Sequence, residues 1–100
     1  MEIKLKRQVF VPKLMVDKAR KKSTIRFDPS RPGYVSGIDV GENCVSSNEF
    51  MILFTYLYSM NALHAKDIKK IVDMSSFGTI DELVKCWRDK VQQIVAHNLE

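Results

Sequence analysis

Val45-Ser46-Ser47-Asn48-Glu49-Phe50-Met51-Ile52-Leu53-Phe54 is the stretch at which the hydrophobic period of this 100-residue chain changes from that of a strand to that of a helix. On its C-terminal side Phe50, Leu53, Phe54, Leu57 and Met60 recur at helical spacing, the stripe of a helix facing a core. Ser46 and Glu49 supply the start signal, a capping box. The Ser46 hydroxyl accepts from the Glu49 amide while the Glu49 carboxylate reaches back. This helix is expected to end near Asn61. On the N-terminal side, Ile3, Leu5, Val9 and Val11 alternate with Lys4, Lys6 and Gln8, the period of a half-buried strand.

Working outward, Pro12 breaks the first strand, and Lys13 to Lys22 reads as a short helix with Leu14, Met15 and Ala19 inward. Thr24 to Phe27 reads as a second strand, ended by the turn cluster Asp28-Pro29-Ser30-Arg31-Pro32-Gly33. Two short strands, Tyr34 to Ser36 and Ile38 to Val40, are punctuated by Gly37 and Gly41. Downstream, a helix is predicted from about Ala65 to Met74, with Ile68, Ile71 and Val72 inward and Lys66, Lys69 and Lys70 outward. After the turn Ser75 to Gly78, Thr79 caps a third helix with Asp81 and Glu82 in its first turn, where the helix dipole favours acids. Its apolar stripe is Ile80, Leu83, Val84, Trp87, Val91, Ile94 and Val95. Strands followed by consecutive helices define an α+β domain: antiparallel strands, then a three-helix, helix-turn-helix-like unit. The whole chain reads as one domain, with a basic strand or arm at 1–23, a β-region at 24–45 and the helical unit at 46–98.

Composition excludes several classes. An apolar fraction of 45% and a charged fraction of 28% are those of a globular domain. Cys44 and Cys86 are too far apart for a zinc knuckle, and two lone thiols suit a reducing, cytoplasmic compartment. The longest apolar run, Phe50 to Leu57, is interrupted by Thr55 and falls well below the roughly 20 residues of a membrane span. Residues 1–26 carry nine bases (Lys4, Lys6, Arg7, Lys13, Lys18, Arg20, Lys21, Lys22 and Arg26) against Glu2 and Asp17. The net charge of +4 is therefore concentrated at one end, which suits a phosphate-binding arm and equally a solvated surface.

The order of elements, together with two motifs, resembles the winged-helix DNA-binding domain of OmpR/PhoB-type response regulators. That family leads from a β-hairpin region into Leu-Thr-x-x-Glu-Phe-x-Leu-Leu, and this chain has Val45-Ser46-Ser47-Asn48-Glu49-Phe50-Met51-Ile52-Leu53. Its recognition helix reads Thr-Val-Asp-x-x-Ile-x-x-Leu-Arg-x-Lys-Leu, against Thr79-Ile80-Asp81-Glu82-Leu83-Val84-Lys85-Cys86-Trp87-Arg88-Asp89-Lys90-Val91 with conservative changes. The match to the second helix, Ala65-Lys66-Asp67-Ile68, is loose. The chain also ends at Glu100, before a C-terminal wing, and Leu83, Cys86 and Asp89 occupy positions often polar or basic in the family. The resemblance implies a transcriptional regulator that binds duplex DNA, with Arg88 and Lys90 at its basic positions.

On that reading the third helix presents Lys85, Arg88, Lys90 and Gln92 to the groove, since Arg pairs with guanine and Gln with adenine. Lys66, Lys69 and Lys70 would clamp the backbone, with Lys18, Arg20, Lys21 and Lys22 as further phosphate contacts. The same residues also suit the exposed faces of amphipathic helices. Trp87, between Leu83 and Val91, belongs to the core. A homodimer is expected on two half-sites, with the strand Ile3 to Val11 offering an edge for its twin. No catalytic constellation, metal site or cofactor loop is read: His64 and His97 are far apart and the four glycines form no phosphate-binding motif. A thiol sensor at Cys86, beside Lys85 and Arg88, is a minor alternative. The other main alternative is an adaptor that binds a protein of the transcription machinery through Phe77, Tyr56 and Tyr58.

Overall fold

The first strand, β1 (Glu2–Phe10), alternates as its sequence does, with Ile3, Leu5 and Val9 buried and Glu2, Lys4 and Lys6 exposed. The computed structural model describes the backbone of residues 1–75 and 78–98, and their side chains except those of Glu42, 89–91 and 93–98. After β1 come α1 (Lys13–Ala19), β2 (Ser23–Phe27) and β3 (Tyr34–Val40), and then a 3-10 turn at Glu42–Cys44. Three helices follow: α2 (Asn48–Ser59), α3 (Ala65–Met74) and α4 (Ile80–Asn98). The architecture is α+β, a three-stranded antiparallel sheet with helices, and the described residues form four helices rather than three.

The additional helix falls between strands, so strands and helices are not segregated as the sequence suggested. The sheet order is β1-β3-β2, and both outer strands run antiparallel to β3. β1 and β2 are therefore parallel to each other and need the α1 crossover to join them. α1 is also shorter than expected, ending at Ala19, with Met15, Val16 and Ala19 buried and Leu14 only half-buried. At about 100° per residue, positions 15, 16 and 19 share one face, and position 14 sits at its margin. Val11, just past β1, is buried beside them. The basic N-terminal segment thus contributes Ile3, Leu5, Val9, Val11, Met15 and Val16 to the same core as α2.

Gly37 does not split the third strand as expected, and β3 runs unbroken through it. A Cβ at Gly37 would stand 3.1 Å from the Ile3 carbonyl oxygen, so glycine permits β1 to approach there. Arg26 pairs in register with Gly37 from β2, and its guanidinium reaches Glu2 on β1 at 2.8 Å and Asp39 on β3 at 2.9 Å. The missing side chain at Gly37 leaves that path across the sheet open. The face is solvent-exposed, so this ion network contributes little to stability.

The capping register is also corrected. Ser47, not Ser46, is the N-cap of α2, its hydroxyl accepting from the Phe50 amide at 3.2 Å. Cys44 to Val45 forms a tight turn that delays the helix by one residue, and the Ser47 hydroxyl also donates to the Cys44 carbonyl. At the other end Asn61 adopts φ 53°, with the Asn61 amide on the Tyr58 carbonyl and the Ala62 amide on the Leu57 carbonyl. That is a Schellman cap with asparagine in the left-handed position. Met60, expected inward, is 36% exposed because the helix has already ended there. Residues 50 to 55 are buried consecutively, so α2 is enclosed on every side rather than along one stripe. α3 has the expected bounds, with Ile71 and Val72 buried and Ile68 half-buried.

Two stability measurements follow from these contacts. Ser47→Ala should cost about 1 kcal/mol, the usual worth of a cap. Ser46→Ala should stay within about 0.5 kcal/mol, as exposed positions do. Urea unfolding of the two variants distinguishes the registers. Thr55 is buried with its hydroxyl lacking a hydrogen-bond partner among the described residues. Thr55→Val removes that desolvated group and should raise unfolding stability by about 1 kcal/mol in the same assay.

Candidate nucleic-acid interface

α4 begins as its sequence dictates. The Glu82 amide donates to the Thr79 hydroxyl at 3.2 Å, and the Glu82 carboxylate accepts from the Gly78 amide at 3.2 Å. Leu83, Val84 and Trp87 are buried, so Trp87 is a core residue as expected. The opposite face exposes Lys85, Cys86, Arg88 and Gln92. Residues 85, 88 and 92 lie one or two turns apart and share a face. Lys90, with Asp89, Val91, Ile94, Val95 and His97, has a side chain outside the described residues. Asp81 and Glu82 are exposed at the start of the helix. An anionic partner is therefore repelled at the first turn and attracted from Lys85 onward.

α3 packs against α4 and exposes Lys66, Lys69 and Lys70. These three cations are not equivalent. Lys69 pairs with Asp73 at 3.4 Å across one turn. Lys66 borders a depression that also holds Glu2, Lys4, His64 and the buried Asp67, so its charge is partly offset. Lys70 has no acidic partner among the described residues.

The cations of the N-terminal half gather at α1 and the turn that follows it. Arg20, Lys21 and Lys22 are exposed and Lys18 is half-buried, and none has an acidic partner among the described residues. The Arg20 guanidinium lies 5.4 Å from the centre of the Phe27 ring. The Lys22 carbonyl accepts a hydrogen bond from the Cys44 thiol, which fastens this turn to the segment before α2.

Of the aromatic residues expected at an adaptor surface, Tyr56 and Tyr58 are half-buried, and the Tyr56 hydroxyl donates to the Phe10 carbonyl at 3.1 Å. Burial pushes the Tyr56 phenol above its usual pKa. Phe77 lies outside the described residues. The expected pairing of β1 with a twin meets an obstacle: the Lys6 amide already donates to the Ala62 carbonyl, and the Arg7 guanidinium to the Met60 carbonyl. The α2–α3 connection thus occupies the middle of β1. Cys86 is exposed and free. Among the described residues no cluster of three metal-ligating side chains occurs, and no helix is long and apolar enough to cross a membrane.

One group was missed in the sequence. Phe10 is 51% exposed at the end of β1, edge-on to Tyr34 with ring centres 5.8 Å apart, and Arg31 lies 3.8 Å over the Tyr34 ring. The signal was present in the alternation: with Val9 and Val11 inward, Phe10 must point outward. Asp28, in the adjoining turn, spends its carboxylate on the Ser30 hydroxyl and amide, which hold its carboxyl below the usual range. The sequence matches no family model, and no curated protein or solved structure matches it.

Proposed function

We propose that the chain is a DNA-binding module of helix-turn-helix type, a winged-helix relative in which α4 meets the duplex and α3 braces it. The observation that carries this reading is the α4 face on which Lys85, Arg88 and Gln92 are exposed together, opposite the buried Leu83, Val84 and Trp87. A helix fixed to a core along one side presents its polar side in a set orientation, which base-edge recognition requires. The short connection between α3 and α4 and their packing suit the same role. Lys70 and Lys66 on α3 would contact the phosphate backbone, with Lys69 available once it leaves Asp73. The acids Asp81 and Glu82 direct contact to the middle of α4 rather than its start. Regulation of transcription is the role such a module would serve. No enzyme activity and no cofactor form part of this reading.

Fluorescence anisotropy with a mixed-sequence duplex across a salt series tests it. Binding should weaken steeply with salt, and the double substitution Lys85→Ala with Arg88→Ala should lower the log–log salt slope by about 2, one for each phosphate that is no longer neutralised. Both substitutions are at exposed positions, so the unfolding midpoint should not move. Duplex affinity unaltered by the double substitution would refute the assignment of α4.

A further inference from the structure

We infer that the end of the sheet carries a second, separate site that takes an unstacked base of single-stranded nucleic acid. A cleft of about 250 Å³ opens there between β1, α1 and β2, lined by Phe10, Lys13, Val16, Arg20, Phe27 and Gly33 among others. Two features define its chemistry. Its walls are aromatic and apolar, and Phe10 is the most exposed large hydrophobic side chain among the described residues. The charged groups in its lining, Lys13 and Arg20, are both cations, and neither has an acidic partner among the described residues.

Lys13, Val16 and Arg20 recur at helical spacing along α1 and its C-cap, so the two cations stand roughly 10 Å apart along one side of the cleft. Arg31 on Tyr34 continues the alternation of guanidinium and ring beyond Phe10. The nearest acid in sequence, Asp28, is held within its own turn by Ser30. Gly33 keeps the ring in place: it has φ 86°, and a Cβ there would come within 2.7 Å of Phe10.

A partner that fits must offer a flat ring and a negative charge close together. A duplex does not, because its rings are stacked inside and only phosphates face outward. A single strand offers both, the ring on Phe10 and the phosphates on Lys13 and Arg20. Lys21 and Lys22, next to Arg20 and without acidic partners among the described residues, extend the positive surface for neighbouring phosphates, which favours a strand over a free nucleotide. The site does not depend on the duplex reading, which uses α3 and α4.

The test is anisotropy of a labelled mixed-sequence single-stranded 12-mer at low salt, with the matching duplex and free AMP as competitors. Phe10→Leu keeps an apolar side chain but removes the ring. It should weaken single-strand binding roughly 5- to 150-fold, the range that stacking of one base spans. Phe10→Tyr should retain binding. Lys13→Ala with Arg20→Ala should lower the salt slope by about 1.4, the value for two phosphates of a single strand. Duplex affinity should not respond to Phe10→Leu, just as single-strand affinity should not respond to Lys85→Ala with Arg88→Ala. Phe10 is half exposed, so its variants should retain the wild-type circular dichroism. The site is overturned if the 12-mer does not bind, if Phe10→Leu leaves its affinity unchanged, or if AMP binds as tightly as the 12-mer.

Discussion

The enclosure of α2 is the constraint on which the rest of the structure depends. Phe50, Met51, Ile52, Leu53, Phe54 and Leu57 are all buried, and so is Thr55. A helix with no solvent-facing side in its middle can exist only if other elements cover every direction. α1 and α4 both pack against it, and the inner face of the sheet adds Ile3, Leu5, Val35, Ile38 and Val40 to the same cluster. Large-to-small substitutions of a buried Phe cost about 3–5 kcal/mol. Domains of this size are stable by only about 5–15 kcal/mol, so the packing around Phe50 and Phe54 accounts for much of the margin. Both proposed surfaces are borne on elements that this helix holds: α4 directly, and α1 with the strand ends at the other site.

Much of this was legible in the sequence, for identifiable reasons. β1 and α3 were read to within a residue at each end, because one face of each is wet and the pattern alternates accordingly. The Thr79 start of α4 and the core position of Trp87 followed from local chemistry. α2 was harder: its type was clear, but an apolar run from 50 to 54 says only that the segment is buried, not from how many sides. The cap slipped from Ser46 to Ser47 because two adjacent serines offer the same hydroxyl, and only the preceding turn selects between them. Gly37 read as a break because glycine is usually punctuation; the close approach of β1 that makes it useful within a strand is a tertiary fact.

The candidate sites were legible to different degrees. Exposure of Lys85, Arg88 and Gln92 followed from helical spacing, as did that of Lys66, Lys69 and Lys70. What spacing did not reveal was the distribution of counter-charge. Lys69 has Asp73, and Lys66 stands near Glu2 and Asp67, whereas the cations after α1 stand without acids among the described residues. The cluster at the sheet end combines residues from β1, the 28–33 turn, α1 and β2. Its parts are ordinary in isolation, and only the fold brings Phe10, Arg20, Phe27 and Arg31 to one end of the sheet.

The position of β3 between β1 and β2 has a consequence for how the chain acquires its form. During synthesis the two outer strands emerge first, and neither can hydrogen-bond to the other across the gap that β3 will fill. Until residue 40 has been made, the N-terminal third holds two unpaired edges and a strongly cationic stretch. Mutual repulsion keeps that stretch from collapsing on itself, and the apolar side of α1 has no α2 to cover it. The sheet therefore closes by insertion of its last strand, not by growth from a hairpin at one edge. This ties formation of the first half to contacts distant in sequence and makes folding of the domain a late, concerted event.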